Sequence, residues 1–182
     1  RDLRMSRGLG DVYKRQLQFL SKDVKIKAVI TMGIDLKNWM QNLPDGSDLL
    51  ALNLCGTHDC VTQHIRLPHF FCCQDLTVYE QLLLGVRALD IRVRADGKCL
   101  TMVHGIFPAY NHSCHRANLM DMGDVLSQCY RFLDECPGEA VVFQFKNDNG
   151  KENEQCFDNL FYTYIKGKEP YWYLEDRVPT LG

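Results

Sequence analysis

The stretch Arg87-Ala88-Leu89-Asp90-Ile91-Arg92-Val93-Arg94 alternates without a break. Leu89, Ile91 and Val93 fall on one face and Asp90, Arg92 and Arg94 on the other, the period-two pattern of a strand with one buried side. Asp96-Gly97 then signals a turn, and residues 99–103 predict a short strand ending at His104. Upstream, residues 75–84 have helical character and stop at Gly85, a suitable C-cap, and Leu49-Leu50-Ala51-Leu52-Asn53-Leu54 predicts a buried strand. Downstream, a polar loop is expected from residue 108 to about residue 118. Val125, Leu126, Cys129, Phe132 and Leu133 then recur at helical spacing until Pro137-Gly138 breaks the pattern. Residues 140–145 predict an apolar strand running out at Lys146, and Cys156, Phe157, Leu160, Phe161, Tyr164 and Ile165 mark a second amphipathic helix. Strands alternating with helices predict a parallel α/β arrangement.

A chain of 182 residues with 46% hydrophobic content can bury one substantial core, so a single domain is expected. The formal charge of -2 and the lack of a basic block argue against a nucleic-acid partner. No run approaches the roughly 18 apolar residues of a membrane span, so any membrane contact is expected to be peripheral. Nine cysteines without a Cys-x-x-Cys pair, odd in number and including the adjacent Cys72-Cys73, fit a disulfide framework poorly and favour reduced thiols.

Asp11-Val12-Tyr13-Lys14-Arg15-Gln16 resembles the translation of a transposon end used in preparing sequencing libraries. Residues 1–16 are therefore read as a scar, residues 17–31 as an uncertain tail, and Met32 as the expected start of the domain at 32–182. The first sixteen residues carry a net +3, so without them the chain moves from -2 to -5. The polar and aromatic C-terminal stretch, ending Val178-Pro179-Thr180-Leu181-Gly182, does not resemble a closing helix.

Gly56-Thr57-His58-Asp59, Leu89-Asp90-Ile91-Arg92 and Val103-His104-Gly105 carry the chemistry. An imidazole titrates near neutral pH, so His58 and His104 can divide the work of base and acid. Attack by a neighbouring hydroxyl on its own phosphodiester is assisted by proximity. The forked Arg92 guanidinium suits phosphate oxygens. A bridge to Asp90, about 7 Å along the same face by strand rise, is the plainer role for that arginine, and the two roles are compatible. Asp59 follows His58 directly, so on an extended backbone their side chains diverge, leaving Asp59 to reach Arg92 or His104. Lys146 adds charge or is simply a solvated strand end. His58, Arg92, His104 and Lys146 all fall at or just past predicted strand ends, the catalytic rim of a parallel barrel. His112, Cys114 and His115 read as a polar loop rather than a zinc site. His64 and His69 have no motif around them, and Trp172 reads as packing.

These motifs, taken in order, resemble the X domain of phosphatidylinositol-specific phospholipase C of the bacterial, metal-independent kind. The resemblance runs from about Trp39 to Gly182. It also includes Gln81-Leu82, Gly85-Val86-Arg87, Phe132-Leu133 and Pro137-Gly138-Glu139. It implies a distorted TIM-type β/α barrel that splits phosphatidylinositol at a membrane surface into diacylglycerol and inositol 1,2-cyclic phosphate, without cofactor. By motif, His58 resembles the base, His104 the acid, Asp59 the acid's partner and Arg92 the phosphate-binding cation. Asp90 and Lys146 resemble supporting rim residues. Calcium-dependent relatives place Asn after the first histidine and an acid where Arg92 stands, so the resemblance implies no metal. Cys55 and Cys60 depart from the proline and serine usual there.

A whole barrel needs eight strands and about 250 residues. Four or five strands are predicted here, the N-terminal half of a barrel. The family's second half supplies an aspartate supporting the first histidine and much of the inositol pocket, so this chain alone is expected to be inactive and poorly soluble. A non-catalytic lipid-headgroup-binding barrel and a metal-dependent glycerophosphodiesterase-like enzyme are the rival readings, and a Cys/His metal-binding protein a more distant one. Bacterial relatives suggest secretion and the cysteines a cytoplasm, so location stays open.

Overall fold

The structure is a computed structural model that describes residues 35–95, 98–113, 118–148 and 154–181. The chain divides into two units, Arg1–Asp35 and Leu36–Gly182, and every element below lies in the second. The expected scar, tail and start at Met32 fall outside the described residues, as do Asp96, Gly97, Cys114, His115 and Gly182.

Strand β2 (Ala88–Ala95) is the centre of the sheet. Its alternating residues Leu89, Ile91, Val93 and Ala95 are buried, as the sequence pattern requires. Under them pack helix α2 (Val78–Leu83), which follows the short α1 (Pro68–Phe71), and helix α3 (Met122–Glu135). Both packing helices open on capping boxes: Thr77 accepts from the Glu80 amide while Glu80 accepts from Thr77, and Asp121 and Asp124 repeat the exchange. Helix α2 ends before Gly85, whose φ of 93° suits a glycine.

One edge of β2 is paired along most of its length by the parallel strand β5 (Val142–Asn147), with Arg92 opposite Lys146. Two shorter strands share the other edge. Parallel β1 (Gly56–Thr57) meets Ala88 and Leu89 from below, and antiparallel β3 (Leu100–His104) meets Val93, Arg94 and Ala95 from above. The chain ends of β1 and β3 therefore run toward each other across Asp90–Arg92. A two-residue strand β4 (Phe107–Pro108) returns antiparallel to β3, and helix α4 (Glu154–Ile165) follows β5. Among the described residues the sheet is mixed and open, with β5 at one edge.

Two expectations are corrected. Leu49–Ala51 is a single 3-10 turn rather than a buried strand, and Leu50 is 76% exposed. The Asp48 carboxylate accepts from the Leu50 amide, and beside this turn Asp48 and Thr180 form a lone antiparallel bridge in which the Leu49 amide donates to the Pro179 carbonyl, so a capped turn with one bridge stands where a strand was expected. The strand ending at His104 is antiparallel to β2 and Arg92 lies inside β2, so the rim is not formed by parallel strand ends alone. Within the loop expected after residue 108, residues 114–117 lie outside the described residues; at its two ends Phe107–Pro108 pairs with β3 and Tyr110 bridges Leu119.

Candidate active site

Gly56 lies so close to β2 that an added Cβ would stand 3.2 Å from the Ala88 carbonyl oxygen. A larger residue there would push β1 away, and His58 with it. Past Thr57 the chain turns sharply, with Asp59 at a φ of 47°, a left-handed conformation that a short polar side chain tolerates. The expected divergence of the His58 and Asp59 side chains is therefore overturned: Asp59 Oδ2 lies 3.3 Å from His58 Nε2. Hydrogen bonds pin the turn to β2, from the Asp59 amide to Asp90 Oδ2 at 3.2 Å and from the Cys60 amide to the Asp90 carbonyl at 3.1 Å.

Asp90 Oδ2 gathers the centre. His58 Nδ1 lies 2.8 Å from it, and Arg92 Nε and Nη2 each donate to it at 3.2 Å. A carboxylate at this distance only accepts, so His58 Nδ1 carries a proton and the Nε2 nitrogen is left for other work. Arg92 Nη2, 3.3 Å from the same Nδ1, is then a neighbour rather than a donor to it. Arg92 also faces Asp59 Oδ2 at 3.4 Å and Asp148 Oδ2 at 3.7 Å. Lys146 Nζ binds the other Asp148 oxygen at 2.8 Å, so Asp148 couples the two cations across the β2–β5 pair. Sequence reasoning missed Asp148, although its position two residues after Lys146 placed it on the same strand face.

His104 arrives from the opposite direction at the end of β3. Its Nδ1 donates to the Phe71 carbonyl at 2.9 Å, a bond that fixes the proton there because a carbonyl cannot donate. Its Nε2 faces Asp59 Oδ2 at 3.7 Å, the Phe71 ring stands edge-on at 5.7 Å, and Cys73 Sγ is 3.8 Å from Nδ1. Gly105, with φ of 58°, turns the chain away directly afterwards. The buried Thr62 hydroxyl, also missed from sequence, donates to the Asp59 carbonyl and accepts from the Cys73 and Gln74 amides, tying the α1 exit to the His58–Asp59 turn.

The charges interlock. The hydrogen bond to Asp90 raises the His58 pKa against the opposing effect of burial, with the Asp59 charge adding to the rise. Burial pushes the Asp59 carboxyl above its ordinary value, and the charges of Arg92, His104 and His58 only partly offset it. Burial also acts on Asp90, but its bonds from His58 and the Asp59 amide and the Arg92 charge outweigh it, and the carboxyl lies below its usual range. His64, His69 and His112 lie outside this group of contacts.

No family model matches the chain. It is 26% identical over 156 residues to a 1-phosphatidylinositol phosphodiesterase of Listeria monocytogenes, covering 83% of this chain and 45% of that protein. A 1-phosphatidylinositol phosphodiesterase of Staphylococcus aureus is 27% identical over 140 residues, covering 74% of this chain and 42% of the relative. The fold superposes on a phosphatidylinositol-specific phospholipase C of S. aureus with a TM-score of 0.68 at 27% identity, covering 81% of this chain and 49% of that one. For the Listeria enzyme the TM-score is 0.64 at 26% identity, covering 81% and 53%. The chain is a homologue of the bacterial phosphatidylinositol-specific phospholipases C. Its mixed α/β fold is the fold of those TIM-type barrels over about half their length. The chain spans less than half the length of these curated phosphodiesterase relatives. One S. aureus phospholipase C structure concerns the modulation of that enzyme's membrane binding.

Proposed function

We propose that this site cleaves phosphatidylinositol-type phosphodiesters by paired-histidine acid–base catalysis. The observation that carries the reading is a shared point: Asp59 Oδ2 lies 3.3 Å from His58 Nε2 and 3.7 Å from His104 Nε2. Both rings have Nδ1 committed, to Asp90 and to the Phe71 carbonyl, and turn Nε2 toward the same place.

His58 Nε2 takes the proton of the inositol 2-hydroxyl, whose oxygen then attacks phosphorus. As the phosphorus–oxygen bond to diacylglycerol breaks, His104, protonated on both nitrogens, gives its Nε2 proton to the departing oxygen. The product is inositol 1,2-cyclic phosphate. Asp59 stabilises the His104 imidazolium, and Arg92, oriented by Asp90, meets the phosphoryl charge with a fixed fork. Asp90 and Lys146 hold the rim of the phosphate site. The reaction as drawn uses no metal and no cofactor.

The membrane is the partner surface. Phe70 is 80% exposed and Ile106 67% exposed, on the segments that carry Phe71 and follow His104, with exposed Leu67 beside them. Exposed apolar side chains rimming a polar site suit an interfacial contact. No helix among the described residues is long and apolar enough to cross a membrane. The rest of the pocket comes from a second half-barrel, so turnover belongs to the completed reading frame rather than to these residues alone. The open sheet and the partial coverage of relatives support that division.

Substitution separates the two histidines. In the completed protein, His58→Ala and His104→Ala should each reduce turnover of phosphatidylinositol vesicles by about 10²–10⁴-fold. A substrate with a nitrophenol leaving group, which needs no acid, should restore His104→Ala but not His58→Ala. Equal recovery of both variants would contradict the assigned roles.

A further inference from the structure

We propose that His58, Asp59 and Cys73 form a binding site for one thiophilic divalent cation, with zinc the natural candidate. One ligand atom from each residue lies within 4.8 Å of the others. The two Asp59 carboxylate oxygens are buried and accept no hydrogen bond, although cationic nitrogens stand nearby. A buried carboxylate without hydrogen bonds is costly, and a cation bound there removes that cost.

The surroundings are arranged as a metal site requires. The Thr62 hydroxyl donates to the Asp59 carbonyl and accepts from the Cys73 amide at 2.8 Å, so one side chain sets the spacing of two ligands. His58 offers Nε2 toward Asp59 while its Nδ1–H donates to Asp90, the outer carboxylate that typically orients a metal-bound histidine. His58 Nε2 and Asp59 Oδ2 stand 3.3 Å apart, close to the spacing of two tetrahedral ligands held at about 2.0–2.1 Å from one zinc ion, so His58 keeps its bond to Asp90 and the adjustment falls on the Cys73 thiol.

The donor set selects the ion. One sulfur, one imidazole nitrogen and a single carboxylate are too soft and too few for calcium or magnesium. Three protein ligands leave a fourth position toward the mouth. On binding, the Cys73 thiol releases its proton to solvent, and the thiolate and the Asp59 carboxylate neutralise the ion. Arg92, the neighbouring cation, is itself paired with Asp90 at 3.2 Å. Cys60 and Cys129 are buried and make poor competitors. An ion here occupies His58 Nε2, so it would also block the proposed base; that consequence rests on the catalytic reading, but the binding does not.

Cobalt(II) titration of the whole chain tests the site. The expected result is a thiolate-to-cobalt charge-transfer band that saturates at one ion per chain and is displaced by zinc. It should vanish in Cys73→Ser, persist in Cys72→Ser, and appear with about 10–100-fold weaker affinity in Asp90→Asn. Circular dichroism confirms that each variant is folded. Independently of any variant, zinc should protect Cys73 of the native chain from iodoacetamide while leaving Cys55 reactive. A band that survives in folded Cys73→Ser, or Cys73 labelling unchanged by zinc, would overturn the proposal.

Discussion

Asp90 Oδ2 serves three groups at once: His58 Nδ1, the Arg92 guanidinium and the Asp59 amide. Replacing that oxygen's charge while keeping its shape should therefore be felt first at His58. A base works only when neutral, so with His58 as the proposed base kcat/KM of the completed protein should rise with pH through the His58 pKa. That pKa is raised chiefly by the bond to Asp90. In Asp90→Asn the acidic limb should move to lower pH, and the plateau should fall by up to about 10²-fold as the base loses its orientation. An acidic limb that stays in place would show that Asp90 does not set the His58 proton. Asp90 and Arg92 were legible as one face of an alternating strand. The meeting of His58 with Asp59 was not, because it depends on a left-handed φ at Asp59 that residue order alone does not specify. Cys73 was passed over because its approach to His104 spans 31 residues of sequence.

At the scale of elements, the long helix was read correctly and the direction of β3 was not, although the sequence carried a signal for it. Helix α3 buries Met122, Val125, Leu126, Cys129 and Phe132, a spacing that only a helix explains. Its start rests on Asp121, whose side chain accepts from the Asp124 amide at 3.1 Å. Asp121→Ala should cost about 0.5–2 kcal/mol, seen as a lower denaturant midpoint with an unchanged slope. An unchanged midpoint would mean that packing alone fixes the helix start. Alternation reports which face of a strand is buried but not which way the strand runs. The decisive signal was the connection length: Ala95 and Leu100 leave too few residues for a parallel crossover, so β2 and β3 had to form a hairpin. The run from Leu49 to Leu54 misled for a different reason. Consecutive leucines have no period, and the Asp48 side chain resolved them as a turn.

Across the molecule, one buried ion pair joins the sheet to the segment preceding it. Arg87 Nε and Nη2 reach Glu139 Oε2 at 2.8 and 2.7 Å with both side chains fully buried, and Glu139 Oε1 accepts from the Met40 and Gln41 amides. Glu139→Ala strands a buried guanidinium and should destabilise the fold by about 3–5 kcal/mol, measured by chemical denaturation. A loss under about 1 kcal/mol, that of a typical surface pair, would mean that the pair is not a keystone. Both residues stood out in sequence as parts of motifs, but nothing in their spacing showed that they pair. Among the described residues the sheet leaves β5 at an edge, and beside it an apolar groove of about 540 Å³ is lined by Phe143, Phe145, Phe161 and Trp172. That geometry agrees with a site whose remaining wall lies elsewhere in a full barrel. Phosphorus NMR of phosphatidylinositol vesicles, incubated in excess chelator with the completed reading frame and separately with this chain, tests the central claim most directly. A cyclic inositol phosphate signal is expected from the completed protein and none from the chain alone; a folded completed protein that forms no cyclic product would contradict paired-histidine cleavage.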